Sequence, residues 1–202
     1  SVEAPRFALD TEEGPALLQR DSRATFRPDG SIELHHRGTG STPLTAQLAL
    51  QSWGREELEP VPAAAEPDVL GPRVVLERGS LVEWYLNGPD GLEQGFTVRE
   101  RRGGRGPLRL AMAVDGLQVS GGDDGLTFAD DHGVARFRYD KLVVVDRHDE
   151  PVPARLDAHC EAVCTVELVI DDGGAAYPLY VDPLLSEYVT NITPTDAVGN
   201  LG

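Results

Sequence analysis

Short apolar runs recur about every ten residues along this chain, and each is closed by Gly, Asp, Pro or Asn. Val, Leu, Phe, Tyr and Thr dominate the runs, and many alternate with the two-residue period of strands that bury one face. Strands are expected over 22–28, 31–37, 45–53, 72–77, 80–86, 92–99, 107–114, 117–120, 125–129, 134–139, 141–147, 152–160, 164–170 and 175–182. Only residues 11–20 (TEEGPALLQR) offer a turn or two of helix, and Gly14 and Pro15 interrupt it. The expected fold is all-β, an antiparallel β-sandwich, built as one large two-sheet sandwich or as two small stacked β subdomains. Residues 55–68, with Pro60, Pro62 and Pro67, read as extended chain. They divide the sequence into an N-terminal β subregion (1–58), a Pro-rich linker (59–68), a main sandwich domain (69–185) and a C-terminal run-out (186–202). A continuous assembly is the expectation, because about 60 residues alone bury only a thin core.

Three hairpins test this reading, because pairing must gather apolar side chains on one face. With a turn at 87–91, Leu86 faces Leu92, Trp84 faces Gln94 and Val82 faces Phe96. That leaves Glu83, Tyr85, Glu93 and Gly95 on the outer side. With a turn at 130–133, Leu126/Phe137 and Phe128/Ala135 form the buried face, and Thr127 and Arg136 point away. With a loop at 161–163, Cys160 faces Cys164, Ala158 faces Val166, Leu156 faces Leu168 and Ala154 faces Ile170. Four consistent pairs make a cross-strand disulfide the leading reading of Cys160 and Cys164. A redox dithiol usually has the tighter C-x-x-C spacing, and a zinc site with His159 is one ligand short. So short a loop contributes less than the roughly 3 kcal/mol of a 15-residue loop, so the bond's role is to pin register.

Charge narrows the setting. The 202 residues carry 18 Lys+Arg and 34 Asp+Glu, a net charge of −16, and Lys141 is the only lysine. Such a balance repels phosphate backbones, so nucleic acid is not an expected partner. No run approaches the roughly 20 apolar residues of a membrane-spanning helix, so no membrane span is expected. A disulfide implies an oxidising compartment and therefore an exported chain whose leader lies outside this sequence.

Candidate chemistry is sparse. Glu83 and Glu93, diagonal in the register above at roughly 7–8 Å, match the carboxylate spacing of an inverting glycosidase. Trp53 and Tyr85 are the candidate sugar platform. Asp123, Asp124, Asp130 and Asp131 flank one hairpin, Asp171 and Asp172 lie in another acidic turn, and acidic turns of this kind can supply oxygens to calcium. Their spacing satisfies no calcium-loop motif, and Asp-Gly is also ordinary turn chemistry. His35, His36, His132, His148 and His159 share no ligand spacing. Residues 99–105 (RERRGGR) are the one basic cluster, suited to an anionic glycan or polyanion, or to a solvated hairpin turn.

Residues 81–98 (LVEWYLNGPDGLEQGFTV), 142–155 (LVVVDRHDEPVPAR) and 168–185 (LVIDDGGAAYPLYVDPLL) together resemble a known family. It is the β-rich N-terminal region of secreted bacterial, myxobacteria-like surface proteins that carry FG-GAP or related β-propeller repeats. The closing stretch from Tyr177 to Pro183 is the most specific part. The resemblance implies a non-catalytic extracellular or cell-surface module that caps or presents a downstream repeat array in a structural or adhesive role. Its partners would be that repeat domain and a surface glycan or protein, with calcium the only cofactor to consider. The alternative is a carbohydrate-binding module, or a weak glycan hydrolase acting through Glu83 and Glu93. A third reading is self-cleavage at Asp182-Pro183.

Overall fold

Among the residues that the computed structural model describes, every regular element is a strand, because alternation and frequent turn residues leave no room for a helical stripe. It describes residues 9–11, 14–18, 22–37, 43–88, 92–122 and 125–187. In chain order the strands are β1 (Leu9–Thr11), β2 (Gly14–Leu18), β3 (Ser22–Phe26), β4 (Ile32–His36), β5 (Leu44–Gly54), β6 (Leu58–Pro60), β7 (Asp68–Leu70) and β8 (Arg73–Arg78). They continue as β9 (Leu81–Asn87), β10 (Leu92–Val98), β11 (Leu108–Asp115), β12 (Gln118–Gly122), β13 (Gly125–Ala129), β14 (Ala135–Val145), β15 (Ala154–Cys160), β16 (Cys164–Ile170) and β17 (Leu179–Glu187).

Two antiparallel sheets form a sandwich that does not close into a barrel. The first runs β1-β2-β3-β4-β5-β11-β16-β15, with β6 paired to β5; the second runs β12-β13-β14-β17-β10-β9-β8-β7. Strands from both sides of residues 59–68 therefore pair within the first sheet, β5 against β11. The Pro-rich stretch passes from one sheet to the other, with Val61 N donating to Gln51 O and Ala65 N to Glu77 O. One core lies between the sheets. Its largest members include Phe26 and Trp53 from the first sheet and Tyr85, Phe96, Phe128 and Tyr139 from the second. Phe26 and Tyr85 meet across the interior with ring centroids 4.9 Å apart. Among the described residues no helix is long and apolar enough to cross a membrane.

Two expectations about elements change. Within 11–20 the described residues are strand: Thr11 ends β1 and Gly14–Leu18 form β2, with Ala16 and Leu17 fully buried. The interrupted turn or two of helix that this stretch offered gives way to strand pairing along β3, which satisfies the backbone while covering the core. Residues 134–139 and 141–147 form one strand, β14, which bulges between Asp140 and Val143, with Lys141 at φ 53°.

The hairpins divide sharply. In β15–β16 every expected pair is present, from Cys160↔Cys164 to Ala154↔Ile170, and the disulfide is formed. In β13–β14, Leu126 pairs with Tyr139 and Phe128 with Phe137. That is a slide of two residues from the expected register at Leu126; Leu126, Phe128 and Phe137 stay in the core, whereas Ala135 is only half-buried and Arg136, expected to point away, is buried against Asp130. In β9–β10 the slide is one residue: Leu92 pairs with Asn87, Gln94 with Tyr85 and Phe96 with Glu83. A one-residue slide inverts a strand. Leu81, Glu83, Tyr85 and Asn87 point inward, whereas Val82, Trp84 and Leu86 take the outer face. Trp84 packs against Gly95, where an added Cβ would fall 1.9 Å from the indole, and the Arg73 guanidinium lies over the ring at 4.7 Å. Val82 is nevertheless buried, on the side away from the core.

Candidate functional site

Arg55 is the residue around which this site is built. It follows the last residue of β5, where β5, β11 and β16 lie side by side, so three segments converge on it. Its guanidinium donates to both carboxylate oxygens of Asp172, just beyond β16, at 2.8 and 2.6 Å. It also donates to Arg102 O at 3.0 Å and Gly106 O at 2.6 Å, in the loop that carries the chain from β10 to β11. Both charged side chains are 1 % exposed. The Tyr177 hydroxyl and Arg101 Nη1 also donate to Asp172, and Arg101 reaches the Asp172 carbonyl at 2.7 Å. Burial pushes the Asp172 carboxyl up, but the Arg55 and Tyr177 hydrogen bonds and the Arg55 and Arg101 charges outweigh it and hold the group below its ordinary value. Burial and the neighbouring carboxylate push the Tyr177 hydroxyl upward, so it stays a donor.

The loop folded round Arg55 presents its own arginines to solvent. Arg101, Arg105 and Arg155 line an open cleft of about 490 Å³ together with Asp171, Pro107 and glycines 104, 106 and 173. Arg155, on β15, also pairs with Asp157 at 3.1 Å. Arg105 is exposed and makes no hydrogen bond or ion pair among the described residues. The other two cations of the loop are engaged. Arg99 reaches Glu77 at 2.9 Å, and Arg102 pairs with Glu59 while stacking 4.3 Å over Trp53.

The residues singled out from the sequence fall elsewhere. Trp53 and Tyr85 are both 1 % exposed, so neither offers a ring face to a sugar. A bulge in β5 opposite Ala111/Met112 turns Trp53 inward, and the one-residue slide of β9 does the same for Tyr85. Glu83 and Glu93 stand on opposite faces of the second sheet, a consequence of that same slide, so they do not form a pair about one bond. Glu83 belongs to a buried chain of polar groups. Arg78 Nε donates to it at 3.1 Å, the Tyr85 hydroxyl and Gln94 also donate to it, and Tyr139 donates to Gln94 Oε1 at 2.6 Å. Burial outweighs these donors and leaves the Glu83 carboxyl above its ordinary value. Arg78 ties the chain to the opposite layer through Gly30 O at 3.2 Å and Pro62 O at 3.1 Å.

Asp130 is consumed by its own turn. One oxygen accepts the amides of His132 and Val134 at 3.0 and 2.9 Å, and the other accepts Arg136 Nε at 2.8 Å. Asp131 is exposed beside His132, and Asp123 and Asp124 lie outside the described residues. Asp146 repeats the arrangement, accepting the amides of His148, Glu150 and Ala176. No group of three or more His, Cys, Asp or Glu that could hold a metal ion occurs among the described residues. Asp182-Pro183 lies within β17, between β14 and β10. The sequence flagged the loop arginines and the acidic turn separately, but nothing local marked Arg55 as the residue joining them. Comparison with protein-family models, curated proteins and solved structures finds no match for this chain.

Proposed function

We propose that this chain is a non-catalytic structural or adhesion module of a cell surface or extracellular protein, which makes contact through the Arg101–Arg105–Arg155 cleft with an anionic group on its partner. The observation that carries the reading is the cleft itself. In a chain of net charge −16, three exposed arginines share one recess whose loop is fixed from behind by the buried Arg55–Asp172 pair. Guanidinium groups carried on a loop whose backbone is held in this way are suited to oxyanions, because their paired donors match a carboxylate or sulfate. The non-catalytic part is supported by how the buried acids are spent: Glu83, Asp130, Asp146 and Asp172 each brace internal structure. The Cys160–Cys164 disulfide supports an oxidising setting. The stretches from 81 to 185 that resemble FG-GAP surface proteins support a place beside a repeat array, and β17, paired on both sides, suits holding such a neighbour.

Sodium sulfate titrated into the isotope-labelled chain tests the cleft. Saturable amide shifts at 103–106, lost in the Arg105→Ala/Arg155→Ala variant, are expected. Shifts that never saturate, or that survive in the variant, would overturn it.

A further inference from the structure

Arginines alone would make the cleft a site for any small anion, but its other walls are selective. Asp171 stands among the arginines with an exposed side chain, and its backbone is pinned by Asp171 N donating to Pro153 O at 2.8 Å. Carrying no side-chain hydrogen bond or ion pair among the described residues, it brings two free acceptors to a recess otherwise furnished with donors. A simple anion would be repelled by it. A ligand with hydroxyl groups beside its anionic group would use it. The remaining wall is Pro107 and glycines, where a ring can approach the backbone closely. A recess of about 490 Å³ falls within the range of small-molecule sites, roughly 300–1,000 Å³. The net charge of −16 disfavours a long polyanion and tolerates a ligand with one charge among neutral hydroxyls.

We infer that the cleft binds an acidic saccharide, a sugar ring bearing a carboxylate, with the carboxylate on Arg101 and Arg105 and ring hydroxyls on Asp171. The assignment rests on the adhesion reading above and names its ligand. Arg55 and Asp172 act as positioning residues, since they hold the loop and Arg101 without facing the recess.

Two probes that differ only at one carbon separate the cases: methyl galacturonoside, which carries the carboxylate, and methyl galactoside, which does not. Each is titrated by amide chemical shift into the wild-type chain and into Arg105→Ala and Asp171→Ala variants, with sodium sulfate as a third probe. Arg105 and Asp171 are exposed, so both variants keep the wild-type urea midpoint. The expected result is galacturonoside binding at least about tenfold tighter than galactoside, and about tenfold weaker in Arg105→Ala, the loss of one charge-assisted contact. Asp171→Ala is expected to weaken galacturonoside and to tighten sulfate. If sulfate binds while galacturonoside binds no better than galactoside, or if Asp171→Ala tightens both anions, the sugar assignment falls and the anion-binding reading stands. If none of the three binds, both fall.

Discussion

Removing the Asp172 carboxylate tests the construction of the site most directly. In Asp172→Leu the Arg55 guanidinium, 1 % exposed, keeps only the carbonyls of Arg102 and Gly106 and loses its counter-charge. Stripping one partner from a buried ion pair costs about 3–5 kcal/mol, because the remaining charge has neither water nor a mate. For a chain of this size that is a fall in midpoint temperature of roughly 6–20 °C. Arg55→Met should cost toward the lower end of the same range, since Asp172 retains Arg101 and Tyr177. The double variant, with neither charge left, should fall short of the sum of the singles by at least about 2 kcal/mol. Arg101→Ala is the internal control: its side chain is half-exposed, so its pairing with Asp172 is worth at most about 1 kcal/mol. Urea unfolding of the four variants, followed by tryptophan fluorescence, gives the cycle. An Asp172→Leu loss below about 1 kcal/mol, or strictly additive singles, would refute the view that this pair anchors the loop.

Three further outcomes follow from the same geometry. Gly95→Ala must displace Trp84 from its seat, and should cost about 1–3 kcal/mol with a shift in tryptophan emission, whereas Gly122→Ala, with nothing within 4 Å of the new Cβ, should be close to neutral. Reducing Cys160–Cys164 should lower stability by no more than about 2 kcal/mol, given the short loop, and mass spectrometry should register two added hydrogen atoms. Stability should show two opposed acid limbs. Between the raised pKa of Glu83 and an ordinary glutamate value, the folded chain binds the extra proton, so this group adds stability as pH falls. Below about pH 4 the depressed carboxyls of Asp130, Asp146 and Asp172 reverse the sign, because the unfolded chain then takes up protons first and their stabilisation is lost. Burial also raises the Asp182 carboxyl, which adds to the same limb, so Glu83→Gln should reduce the upper limb and leave the lower one unchanged; urea midpoints across pH 3–7 check this.

Local pattern alone specified the all-strand class, most strand positions and the β15–β16 hairpin. There a three-residue loop left one register, and Cys160, Leu156, Leu168 and Ile170 agreed on one face. It misassigned β9–β10 because hydrophobicity was its guide to the inner face. Glu83 occupies that face beside Gln94 as a member of a satisfied hydrogen-bond chain, while Trp84 lies outside, packed on a glycine. Polarity predicts exposure only while no partner waits inside, and the partners Arg78, Tyr85 and Tyr139 become neighbours only once the strands have paired. Arg55 and Asp172 show the same limit. They are 117 positions apart, and each alone reads as a solvated charge. Periodicity is a property of neighbours along the chain, so it could settle which segments are strands. Which charges are buried, and which arginines remain free at the surface, depends on contacts across the sandwich, and those exist only in the folded molecule.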